Sequence, residues 1–240
     1  MTLLDVLAIG AHPDDVELGC GGTILRLTDA GRRVGVLDLT RGEKGSRGTM
    51  QTRAAEAKKA AKLAGLALRE TLKFPDTELE PTMALRKAIV AAFRRHRPKI
   101  VLAPIAGDLH PDHAAAAQAV RESIYPSGMK NFDAPGEPYR PTRVFHYFMH
   151  NEDTHAVVVD VTSVWERRLE LAKCFASQLY APARDTSGFP TLISRPDFFA
   201  RIEARARVWG RRAGVEFGEP LAPVDSLAVT DVAALFGGSD

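Results

Sequence analysis

The chain has only two cysteines, Cys20 and Cys174, in 240 residues. That scarcity excludes a disulfide-stapled fold and makes a reducing cytoplasm the expected compartment. No apolar run approaches the ~20 residues that span a bilayer, so a membrane-embedded chain is not expected. Charge of one sign is also lacking. Lys and Arg number 32 against 30 Asp and Glu, a net of +2, and neither a nucleic acid nor an anionic membrane is expected as partner. The first residues enter an apolar run without a basic region or a small-residue cleavage site, so no signal peptide is expected. Repeats, low-complexity tracts and an interdomain linker are absent as well. What remains is a 45% hydrophobic sequence, long enough for one α/β domain with a substantial core.

Apolar strand-like runs alternate with helical stretches along the first two-thirds. Strands are expected at residues 3–10, 34–39, 70–74 and 100–105, and helices at 21–30, 52–64, 82–96 and 114–124. Gly31 and Gly65 are helix stops, and Arg97-Pro98 ends the third helix because a residue before proline disfavours the α region. This alternation predicts a doubly wound, mainly parallel sheet with right-handed crossovers and helices on both faces. Residues 127–141, rich in proline and glycine, read as a long loop that borders a pocket. Two further strands, 144–149 and 156–161, and two helices, 165–177 and 197–210, complete the pattern.

Two histidine-carboxylate clusters follow strand-like runs: Ala11-His12-Pro13-Asp14-Asp15 after the first, and His110-Pro111-Asp112-His113 after the fourth. They hold three of the seven histidines. With strand order 3-2-1-4-5, strands 1 and 4 are neighbours and open the crevice where such sheets bind ligands. The two loops should therefore face each other. Imidazoles and carboxylates suit zinc, and also manganese or ferrous iron. A hydrolytic ion also requires a carboxylate that does not bind it and can take a proton from water. Of the adjacent pair Asp14 and Asp15, one can ligate while the other serves as base. His110 and Asp112 are left as an acid or oxyanion partner and its orienting group.

The run 11–17, then Gly21-Gly22-Thr23, then His110-Pro111-Asp112-His113 resembles the PIG-L/LmbE family of zinc-dependent N-acetylglucosaminyl deacetylases. The segment 39–43, Arg47-Gly48-Thr49, Arg53 and Glu56 resemble the family's substrate-side loop. Ser177-Gln178, the segment 202–205, Gly210 and the segment 214–219 are similar to its bacillithiol-biosynthesis members, which deacetylate N-acetylglucosaminyl-malate. The resemblance implies a Rossmann-like fold, a homo-oligomer and a small-molecule GlcNAc conjugate as substrate. It implies Zn2+, with Fe2+ as the alternative, held by His12, Asp15 and His113. Asp14 would be the general base, His110 oriented by Asp112 the acid or oxyanion partner, and Arg53 a substrate-binding cation. Phe198 departs from the subgroup, where tyrosine is common.

Plainer readings exist for several of these residues. Asp112 could be a helix N-cap, and Arg53 could pair with Glu56 along a helix face. His96, His146, His150 and His155 read as structural, and Cys20 as a small packed residue. Two rivals stand beside this reading: a deacetylase of another GlcNAc-type substrate, such as N,N′-diacetylchitobiose, a mycothiol-pathway intermediate or an S-conjugate amide, and a dinucleotide-binding module, with Asp38 at the end of strand 2 as the ribose acid. The module's glycine fingerprint fails, because His12 and Asp15 stand where the second and third glycines belong, and aspartates there would repel a pyrophosphate.

Overall fold

The computed structural model describes residues 2–151, 157–182 and 191–228. Its elements run β1 (Val6–Gly10), α1 (Asp15–Asp29), β2 (Val34–Thr40), α2 (Met50–Leu63), β3 (Leu68–Phe74), α3 (Met83–His96), β4 (Ile100–Pro104), α4 (Pro111–Ser127) and β5 (Arg143–Tyr147), continuing with β6 (Val157–Asp160), α5 (Trp165–Lys173), α6 (Phe198–Ala213) and β7 (Gly218–Pro223). The strands make one sheet in the order β3-β2-β1-β4-β5-β7-β6. Strands β1 to β5 are mutually parallel, and β7 lies antiparallel between β5 and β6. Among the described residues no helix is long and apolar enough to cross a membrane.

The central strands are apolar on both faces, as a sheet covered on both sides must be. Val6 and Ala8 of β1 join a core with Ile24 of α1, Ala60 of α2, Leu171 of α5 and Ile202 of α6. Their alternates Leu7 and Ile9 face Leu85, Ile89 and Phe93 of α3 and Val120 of α4. Period-two alternation thus sends one strand into two separate cores. Strand β3, at the edge, is less covered and carries Arg69, Glu70 and Lys73, charges that discourage pairing with another sheet.

Three expectations are corrected. The segment 218–223, not anticipated as a strand, is β7; its two prolines argue against one. Pro220 falls in the ladder with β6 and Pro223 in the ladder with β5, so each pairs on one side. Helix α1 begins at Asp15, six residues before the expected 21, and bends at Cys20, where φ is −145° and ψ 30°. The loop 127–141 lines neither of the cavities at the two histidine loops. It wraps the buried Arg94 of α3, whose guanidinium donates to the carbonyls of Ser127, Met129, Phe132, Ala134 and Gly136.

Candidate active site

The C-terminal ends of β1 and β4, paired through Val6–Ala8 and Ile100–Leu102, bring the two histidine loops together. Asp15 is the first residue of α1, and its carboxylate turns back to accept from the His12 amide at 2.8 Å. His110 is the N-cap of α4. Its Nδ1 accepts from the Asp112 amide at 3.2 Å, and Pro111 fills the first helical position, where no N–H is needed. The N-cap is therefore His110, not Asp112.

His12, Asp15 and His113 are buried and present ligand atoms all within 4.8 Å of one another. Asp15 lies 3.5 Å from His12 Nδ1 and 3.3 Å from His113 Nε2. The first distance is from Oδ2 and the second from Oδ1, and each is of the size that separates two ligand atoms about 2.0–2.1 Å from a shared ion. The remote nitrogen of each ring is already held by a carboxylate. His12 Nε2 is 3.1 Å from both Asp76 and Asp112, and His113 Nδ1 is 2.9 Å from Asp108. Such outer carboxylates fix the ring orientation and tautomer that metal binding needs. Two imidazoles and one carboxylate beside an open cavity fit a hydrolytic divalent ion.

Burial disfavours charge on all of these groups, but the mutual attraction wins for most of them. Against that burial, the His113 and His12 rings hold Asp15 well below the usual carboxylate range. Asp15 and Asp108 in turn raise His113 to about 10. Asp14 behaves differently: burial raises it to about 7, helped by Asp15 and opposed by Arg53. A dication beside Asp15 would draw it back toward the ionised form. Asp14 also sits at φ 141°, a left-handed conformation that side chains rarely adopt.

Arg53 leaves the face of α2 to hold this strained loop. It donates to Asp14 Oδ1 at 2.8 Å, to the Pro13 carbonyl at 2.9 Å and to the Gly42 carbonyl at 3.1 Å. It does not pair with Glu56, which instead accepts from the amide and hydroxyl of Ser177. Asp112 does not orient His110 through its carboxylate. That carboxylate takes His12 and the Thr77 amide, the latter at 2.8 Å. His110, with Nδ1 accepting, carries its hydrogen on Nε2. Burial lowers its pKa, and the charges of His12 and His113 lower it further. An Nε2–H is thereby offered to the cavity that His110 lines.

The cavity over these groups is about 440 Å³ and is lined by His12, Asp14, Asp15, Arg53, His110 and His113, among others. A second lobe of about 390 Å³ includes Phe198, Arg201, Ile202 and Arg205. Leu18, Leu109, Met149, His150, Leu192 and Ile193 border both. His150, read as structural from the sequence, stacks on His113 with ring centroids 5.7 Å apart. No motif marked it, because it reaches the site from the segment after β5. Asp76, which follows β3, was missed for the same reason. His96 and His146 do have structural partners, the carbonyls of Thr2 and Pro104. His155 lies outside the described residues. Cys20 and Cys174 are buried thiols. Asp38 is closed to a ribose, since Arg69 grips both its oxygens at 2.8 and 2.9 Å.

Residues 7–124 match the family of GlcNAc-PI de-N-acetylases, PIG-L. Over 188 residues the chain is 35% identical to the diacetylchitobiose deacetylase of Thermococcus kodakarensis, covering 72% of this chain and 69% of that protein. The chain belongs to the PIG-L family. A 1D-myo-inositol 2-acetamido-2-deoxy-alpha-D-glucopyranoside deacetylase of Rhodococcus opacus is 28% identical over 174 residues, 58% of this chain and 60% of that one. The crystal structure of a conserved protein from Thermus thermophilus matches with a TM-score of 0.84 and 35% identity, over 95% of this chain and 98% of the other. The PIG-L segment contains both histidine loops and Arg53, whereas the second lobe is built mostly from residues beyond it.

Proposed function

We propose that this PIG-L protein is a zinc-dependent hydrolase that removes the N-acetyl group from a GlcNAc conjugate. The observation that carries the reading is the convergence of His12, Asp15 and His113, with Asp14 beside them and paired to Arg53. The ion, when bound by those three residues, supplies Lewis-acid polarisation and lowers the pKa of a water. Ferrous iron would satisfy the same ligands. Asp14 accepts the proton of the attacking water and returns it to the departing amine, giving acetate and a glucosamine. Arg53 aims the Asp14 carboxylate, and the Nε2–H of His110 donates to the oxyanion that forms on the acetamide. Asp112 and Asp108 hold His12 and His113 in orientation.

The second lobe takes the group attached to the sugar. Two guanidiniums border it, that of Arg201 also paired with Asp197 at 2.7 Å and that of Arg205 also donating to the carbonyls of Phe148 and Met149, and N-acetylglucosaminyl-malate, a conjugate bearing carboxylates, is the substrate we assign. Phe198 lines the same lobe and offers it a ring without a hydroxyl. The Thermococcus relative supports a second reading, in which a second sugar of N,N′-diacetylchitobiose fills the lobe. A cytoplasmic setting, where both buried cysteines stay reduced, accompanies the proposal. Acetate release from GlcNAc, GlcNAc-malate, diacetylchitobiose and inositol-linked GlcNAc by zinc-loaded protein tests it. GlcNAc-malate is expected to give the highest kcat/KM. Absence of acetate from all four would overturn the deacetylase reading.

A further inference from the structure

Asp108 lies in the loop after β4, two residues before His110, and its side chain is fully buried. Its Oδ1 accepts from His113 Nδ1 at 2.9 Å, from His150 Nδ1 at 2.8 Å and from the His110 amide at 3.0 Å. Its Oδ2 accepts from the His150 amide at 3.0 Å. One carboxylate thus collects two imidazoles and the backbone of both active-site segments, one from the β4 loop and one from the segment after β5. The two rings stack with an interplanar angle of 16°.

This hub could itself be taken for a cation site, since Asp108, His113 and His150 have the right atom types. The chemistry argues otherwise. An ion there would need His113 Nδ1, while Nε2 of the same ring faces Asp15 at 3.3 Å. Serving two cations would strip the ring of both hydrogens. The separations of 2.8–2.9 Å are those of charge-assisted N–H···O bonds. As a hydrogen-bond hub, Asp108 commits Nδ1 on both rings and leaves each Nε2 for other work. On His113 that atom joins the Asp15 cluster. His150 itself lines both cavity lobes, at their junction.

We propose that Asp108 is the positioning residue for both imidazoles, and that His150 is a substrate-contacting residue at the junction between sugar and aglycone. The His150 half rests on the deacetylase reading given above; the Asp108 half requires only that His113 binds an ion. The pair predicts separable defects. Asp108→Ala weakens zinc affinity about 10- to 100-fold, the range for loss of an outer-shell partner. It also lowers kcat/KM by more than the metal deficit explains when zinc is saturating. His150→Phe keeps the stacked ring and its zinc affinity within about threefold, but lowers kcat/KM roughly 10-fold, as loss of one substrate hydrogen bond does.

The experiment is a competition titration of zinc against a chromophoric chelator, paired with acetate-release kinetics at saturating zinc, on wild type and both variants. Wild-type zinc affinity in Asp108→Ala overturns the positioning role. Wild-type kcat/KM in His150→Phe overturns the substrate contact. Should Asp108→Ala not fold, as judged by its circular dichroism, Asp108→Glu is read instead: its carboxylate is displaced by a methylene and the same loss of zinc affinity is expected. A wild-type protein that binds zinc with this dependence yet releases no acetate overturns the deacetylase reading and the His150 contact, and leaves the Asp108 role standing.

Discussion

Asp14 is held in place against two costs, a buried charge and a backbone at φ 141°. Strain of that kind persists only where the surroundings over-determine it. Here the three Arg53 hydrogen bonds do so. Asparagine tolerates positive φ and keeps a carbonyl for Arg53, but cannot take a proton. Asp14→Asn should therefore retain zinc and melt within a few degrees of wild type, while kcat falls about 10²- to 10⁴-fold. Zinc content measured beside kcat checks this; undiminished turnover would remove Asp14 from the proton path. Arg53 sets a second prediction. Lysine is a point charge and cannot reach three oxygens at once, so Arg53→Lys should lower kcat roughly 10-fold or more, by the loss of hydrogen bonds to a charged group. Gly42 belongs to the same arrangement: its φ is +64°, and an added Cβ would lie 1.9 Å from Arg53 Nη1. Gly42→Ala should shift kcat in the same direction as Arg53→Lys, with zinc affinity little changed. Unaltered kinetics in both variants would show that the guanidinium does not aim Asp14.

At the level of elements, the bend in α1 separates the part that presents Asp15 from the part that packs on the sheet. Glu219 of β7 caps the second part, accepting from the amides of Gly22 and Thr23 at 3.0 and 2.7 Å. It also pairs with the fully buried Arg168 of α5 at 3.2 Å. Glu219→Gln leaves that guanidinium without its counter-charge, and loss of one partner from a buried pair costs about 3–5 kcal/mol. Urea denaturation should show a loss of that order; a change below about 1 kcal/mol would mean that the pair is dispensable. Asp5 ties the starts of three strands in a different way. Its carboxylate accepts from the Arg33 amide and from Lys99, both at 3.0 Å, which lowers its pKa against a slight effect of burial. A depressed folded-state pKa stabilises above the unfolded value of about 3.9, and that contribution disappears as pH falls through the folded value. Asp5→Asn should thus be less stable than wild type at pH 7, with the gap closing below about pH 4. A gap independent of pH would contradict the ion-pair account.

The same elements show what a sequence reveals. Helices α2 and α3 were legible because their composition and their stops, Gly65 and Arg97-Pro98, are local signals. The first turns of α1, residues 15–20, were missed; they contain Gly19, a poor helix former. Gly19 is needed because a Cβ there would lie 2.4 Å from Tyr147. Strand β7 was hidden by Pro220 and Pro223, tolerable only because the ladders on its two sides are short. His150 and Asp108 could not be found from local pattern, since what joins them is the fold of the β4 loop against the segment after β5.

For the whole molecule, strand order is the decisive fact. Strands β1 and β4 are adjacent and parallel where the order of the strands reverses, so residues a hundred positions apart share one crevice. That topology followed from counting strands, and it placed the two histidine loops together without any local contact signal. Metal binding should then be linked to folding. At free zinc near 1,000 times Kd, the holo form gains about 4 kcal/mol over the apo form. For a chain of this size that corresponds to roughly 10 °C in Tm. A chelated protein that melts at the holo temperature would show that the ion is not held by the folded crevice.

The X-ray absorption spectrum of the zinc-loaded protein examines the centre most directly. With His12, Asp15 and His113 as ligands, it should show a nitrogen and oxygen shell at about 2.0–2.1 Å, with outer scattering from two imidazoles. A spectrum with a sulfur shell near about 2.3 Å, or without imidazole scattering, would contradict the assignment.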